Sequence, residues 1–143
     1  DGNFLFIEDE ITYDPPFSQL RLFDIRDLAA PIEVLAVTLD EPKSAPHNLL
    51  VRDDLLFVGW YIDGIRVFRY DVSNPESPRV EQVAFHEVPA KGILSGFSDI
   101  FDGIYGVRLQ TCEIEGTQRI CIYASDLTLG LLILALDEEL ASN

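Results

Sequence analysis

Imidazole chemistry in this chain rests on His47 and His86, the only two histidines among 143 residues. Histidine titrates near neutrality and is a common metal ligand, so each could hold a metal or act as a base. His47 opens the apolar stretch His47-Asn48-Leu49-Leu50-Val51 and is the metal candidate. The competing reading is a hydrogen-bonded structural histidine at a strand start. His86 ends a later apolar stretch and is expected at the surface. The cysteines, Cys112 and Cys121, flank 113–120, which reads as strand, turn at Gly116, strand. A hairpin there brings its two ends together and makes a disulfide feasible, with two free buried thiols as the alternative. Two cysteines with no nearby histidine do not make a zinc site.

Carboxylates are abundant but lack catalytic spacing. Glu8-Asp9-Glu10, Asp53-Asp54 and Asp137-Glu138-Glu139 fall at turns or ends and read first as solvated faces. Calcium is the metal such oxygen clusters would suit, although the EF-hand spacing is absent and no cofactor is predicted. Asp24, Asp71 and Asp126 recur at the ends of comparable strands, where an aspartate can accept backbone N–H groups across a tight turn. Ser95, Ser98 and Ser125 lie outside any Gly-x-Ser-x-Gly elbow, and there is no phosphate loop or dinucleotide fingerprint.

The net charge of −15 argues against nucleic-acid binding and docking on an anionic membrane, since phosphates would be repelled. It suits solubility first, with a basic partner, bound cations or a high-salt habitat as the alternatives. Hydrophobic residues make up 48% of the chain and charged residues 24%, enough apolar material for one packed domain. The run Leu131-Leu132-Ile133-Leu134-Ala135-Leu136 is too short to span a bilayer and reads as a buried strand. Methionine is absent, so the chain is expected to be a processed protein or a piece of a longer one.

The elements that would position these groups are strands of four to eight residues punctuated by Gly, Pro, Asp and Asn, with helical periodicity hard to find. The region 47–88 reads as a full meander with strands at 47–52, 55–61, 64–71 and 79–87. Asp63-Gly64 makes one turn, and the prolines of 73–78 make a longer one. Residues 1–40 repeat its last three strands at 3–7, 20–25 and 30–37, with a loop at 9–18 carrying Pro15-Pro16. Residues 103–136 repeat its first three at 103–109, 120–126 and 130–136. The expected fold is therefore all-β: β-propeller blades, each a four-stranded antiparallel meander. The three regions are one complete and two incomplete blades of a larger propeller, since rings usually need four to eight. Trp60 and Tyr61 are expected first as core residues between blades. Because strand neighbours point to opposite sides, one of them would otherwise face outward as a binding surface.

Gly64-Ile65-Arg66-Val67-Phe68, followed by Asp71-Val72-Ser73-Asn74-Pro75 and Pro78, resembles the repeat of the LVIVD-repeat proteins, including those called choice-of-anchor B. Leu20-Arg21-Leu22-Phe23-Asp24-Ile25 with Pro31 is a weaker copy, and Ala124-Ser125-Asp126 with Gly130-Leu131-Leu132-Ile133-Leu134 looks like a closing blade. His47-Asn48 resembles a pair that opens the family's blades. Departures are the missing first proline in 26–30, the cysteine hairpin and the Pro15-Pro16 loop. The resemblance implies a β-propeller, typically secreted or surface-attached, and no single activity.

The expected function is a non-catalytic extracytoplasmic interaction or structural module, with a protein partner or assembly subunits, the partner being basic. Pro15, Pro16, Trp60 and Tyr61 are the candidate contacts, together with the 89–102 connector and the cysteine hairpin. The alternative is a metal-binding or enzymatic propeller whose channel site uses His47 with residues from outside this chain.

Overall fold

Alternation of apolar and polar residues resolves into ten strands forming three antiparallel sheets among the described residues. The computed structural model describes residues 2–10, 18–89 and 102–141; Pro15, Pro16 and most of the 89–102 connector lie outside them. The first sheet holds β1 (Phe4–Glu8), β2 (Leu20–Asp24) and β3 (Ile32–Val37). The second is a four-stranded meander of β4 (Asn48–Arg52), β5 (Leu55–Trp60), β6 (Gly64–Asp71) and β7 (Arg79–His86). The third is β8 (Ile104–Ile114), β9 (Thr117–Asp126) and β10 (Gly130–Ala135), followed by a single helical turn, α1 (Glu138–Ala141). Each sheet follows chain order, and none closes on itself.

The second sheet is covered on both faces, and its sequence shows why. Every residue of β5 is buried. Leu55 and Phe57 share a cluster with Ile65 and Val67 of β6 and with Ile104, Val107, Ile122 and Ala124 of the third sheet. The intervening Leu56, Val58 and Trp60 join Phe68 in a second cluster with Leu20 of β2, against which Phe6 and Val37 of the first sheet also pack. The strand period of two sends alternate residues to opposite faces, so a run apolar at every position supplies two cores. Burying each such large side chain is worth roughly 1.5–3 kcal/mol.

Gly59 marks a close approach of the second and third sheets. A Cβ there would lie 2.9 Å from Ile104 Cγ2 and 3.1 Å from Val107 Cγ2, so hydrogen alone fits. At the rim of the same junction, Tyr61 and Ile104 form an isolated antiparallel bridge, with Ile104 N donating to Tyr61 O at 3.0 Å.

The third sheet departs from the expected boundaries. Strands at 103–109 and 120–126 with a separate cysteine hairpin were the expectation; instead β8 and β9 pair continuously out to Ile114 and Thr117. Glu115 (φ 51°) and Gly116 (φ 80°) both lie in the left-handed region, as a two-residue type I′ turn requires. That turn matches the twist of the strands and carries the ladder to its tip.

Candidate functional site

His47 sits where all three sheets meet. Its backbone N–H donates to Gly59 O at 2.9 Å, which holds it immediately ahead of β4. Its ring lies between two tyrosines, with centroids 5.1 Å from Tyr61 and 4.2 Å from Tyr105. Nδ1 is 2.8 Å from the backbone oxygen of Tyr105. A carbonyl only accepts, so Nδ1 carries the proton, and in the neutral ring Nε2 is left with its lone pair. Nε2 lies 3.7 Å from Oε1 of Glu10, just beyond β1. The Tyr61 hydroxyl donates to the same oxygen at 2.5 Å.

Electrostatics reinforce this arrangement. Burial, and then the hydrogen bond to Glu10, push the Tyr61 hydroxyl far above its ordinary range, so it is a fixed donor and never a base. Glu8, at the end of β1, also has a raised pKa. Burial is the main cause, Glu10 adds to it, and a backbone hydrogen bond and His47 oppose it. The first sheet thus contributes carboxyls, the second an imidazole and a phenol, and the third the half-exposed Tyr105 ring. Such a seat can accept hydrogen bonds and attract positive charge. Among the described residues, no three His, Cys, Asp or Glu side chains converge in a way that could hold a metal ion.

The other sequence-derived candidates fall elsewhere. Trp60 is wholly buried between the first and second sheets, with Nε1 donating to Ser44 O at 2.9 Å. Tyr61 is 2% exposed. Neither presents a surface to a partner, so the outward-facing alternative for this pair does not occur. Two causes combine. The second sheet is covered on both sides, and Tyr61 has φ 27°, which breaks the strand alternation and turns the ring to the seam. Pro15 and Pro16 lie outside the described residues. His86 is exposed at the end of β7. Cys112 and Cys121 are joined by a disulfide with Cα atoms 5.8 Å apart. They are diagonal neighbours on one face, since Cys112 lies opposite Arg119 and Cys121 opposite Gln110.

The three recurrent aspartates fold turns. Asp24 Oδ1 accepts from Arg26 N at 3.0 Å, Asp71 Oδ1 from Ser73 N at 2.9 Å, and Asp126 Oδ1 from Thr128 N at 2.8 Å and Leu129 N at 2.6 Å. Hydrogen bonds from Arg26 hold the Asp24 carboxyl below its usual range, and those from Ser73 do the same for Asp71.

Sequence reading missed Glu8, Glu10 and Tyr105 as companions of His47. The two glutamates belong to an acidic run that looked solvated, and Tyr105 to an ordinary strand. No protein family, curated protein or solved structure matches the chain.

Proposed function

We propose that this chain is part of an extracytoplasmic β-propeller of the LVIVD-repeat kind that works as a protein-interaction module, and that the seat around His47 receives a basic side chain of its partner. The observation that carries this reading is the convergence of Glu8, Glu10 and the half-exposed Tyr105 ring around His47, where three sheets meet. Carboxylates attract a cation electrostatically, and a tyrosine face adds cation–π attraction. The net charge of −15 steers a basic partner toward the chain. Support for the propeller comes from the three meanders in chain order, the middle one sandwiched by its neighbours. Support for an oxidising compartment comes from the disulfide.

The test is the affinity of the chain for a lysine-rich peptide at low and high salt. The reading expects binding that weakens with salt, and weakens about tenfold in Glu10→Gln or Tyr105→Ala. Binding that ignores both substitutions would overturn it.

A second reading, a metal-binding or enzymatic propeller, is favoured by one observation. The Nδ1–H of His47 is anchored on a carbonyl, which leaves Nε2 to ligate, as metal-bound histidines usually donate their other ring N–H to an oxygen. Metal analysis of the intact protein, repeated on His47→Ala, separates the two.

A further inference from the structure

Away from His47, a cleft of about 530 Å³ opens between the first two sheets, along β6, β7 and the segment that follows β3. Its volume falls within the range of small-molecule sites. Val37, Leu39, Phe68 and Val80 give it an apolar wall. Arg66 lines it, with a side chain only 9% exposed. The fold places the guanidinium there because alternate residues of β6 face the first sheet, so Arg66 shares a face with Phe68.

A guanidinium so enclosed normally spends its five donors on acceptors. This one donates no hydrogen bond to any described residue. Its Nε is buried without a partner. Arg66 forms an ion pair with the largely solvated Glu87, whose Oε1 stands 3.6 Å from Nη2, beyond hydrogen-bond reach. Its other contact is the ring of Phe85, with the guanidinium carbon 5.1 Å from the centroid. Burying a guanidinium with its hydrogen bonds unmade is costly, and the Nη ends remain to meet whatever enters the cleft.

We propose that this cleft binds a small monocarboxylate with an apolar body, the carboxylate pairing with Arg66. The planar fork of arginine matches a carboxylate in bidentate fashion, and Phe85 holds the guanidinium plane in place. Lys43 adds a second positive charge to the lining. Asp40, Glu41, Asp63 and Glu87 also line the cleft, Asp63 with one carboxylate oxygen held by Ser44 and the Lys43 backbone, and together they disfavour a multiply charged anion more than a singly charged one. The apolar wall provides for the remainder of the ligand. This inference does not depend on the reading of the His47 seat.

The test is calorimetric titration with 3-phenylpropanoate, its neutral counterpart 3-phenylpropanol, and inorganic phosphate. The chain should bind the acid saturably and the alcohol at least ~10-fold more weakly, and phosphate should not displace the acid. Arg66→Met should lower affinity for the acid at least ~10-fold with the circular dichroism spectrum unchanged. Gln82→Trp, which fills the cleft from an exposed position and retains Arg66, should block the acid as well. Should Arg66→Met fail to fold, Gln82→Trp and the acid–alcohol pair decide. The proposal is overturned by no saturable binding of the acid, by equal binding of acid and alcohol, by displacement with phosphate, or by unchanged affinity in folded Arg66→Met or Gln82→Trp.

Discussion

The Nδ1–H of His47 donates to the backbone oxygen of Tyr105 at 2.8 Å, a bond that ties the entrance of the second sheet to the first residues of the third. The partners are 58 positions apart in sequence. Beside this bond, Asn48 Oδ1 accepts from Val107 N at 3.4 Å, so consecutive side chains of β4 and its approach reach the same neighbouring strand. Removing the imidazole leaves the Tyr105 carbonyl without its donor and opens space between two rings. His47→Ala should therefore destabilise the chain by about 1–2 kcal/mol in urea unfolding, more than a surface substitution would. His47→Asn, which can still donate, should recover part of the loss.

Packing at Gly59 leaves no room for growth. Gly59→Val would drive branched methyls into Ile104 and Val107, and the third sheet would have to back away from the second. A loss of about 1–3 kcal/mol is expected in urea unfolding, together with faster amide exchange along β8. The same change at Gly2, where a Cβ meets nothing within 4 Å, should be silent.

Acid sensitivity should trace to the turn aspartates. Asp24 and Asp71 have folded pKa values held below those of the unfolded chain. A carboxyl with a depressed folded pKa contributes stability that is fully present above its unfolded value, near about 3.9, and is lost as pH falls through the folded one. Stability measured against pH should thus decline on the acid side of about pH 5. Asp71→Asn should flatten that decline, because an amide oxygen still accepts from Ser73 N but does not titrate.

The disulfide closes a loop of sequence separation 9 at the end of a hairpin that is already paired residue by residue. Its contribution should be at the low end for disulfides, about 2 kcal/mol. Reducing it should lower Tm by several degrees without unfolding the chain, as thermal melts with and without reductant would show. Collapse on reduction would mean that the hairpin does not stand on its ladder and turn.

Strand identity was legible because it is local. Alternation in 64–71 and the Asp63-Gly64 turn mark β6 before any contact is known, and the Asp71-to-Pro78 segment marks the following turn. The pairing of Cys112 with Cys121 was legible for the same reason, through nine positions and a glycine. Trp60 and Tyr61 show where locality ends. Alternation assigns them to opposite faces, but only the stacking of sheets reveals that both faces are covered, and only the positive φ of Tyr61 turns its ring to the seam. The His47 seat was illegible for a related reason. Tyr61 meets Glu10 across 51 positions, and no periodic pattern links a residue after β1 to one after β5. The isolation of Arg66 was equally hidden, since an arginine flanked by Ile65 and Val67 reads as the polar member of an alternating strand.

The most direct test of the proposed function is a two-dimensional NMR titration of the isotope-labelled chain with a lysine-rich peptide. Saturable shifts should centre on His47, Tyr105, Glu8 and Glu10, be lost in Glu10→Gln and be suppressed by salt. Shifts confined to other surfaces, or unaltered in Glu10→Gln, would contradict the proposed function.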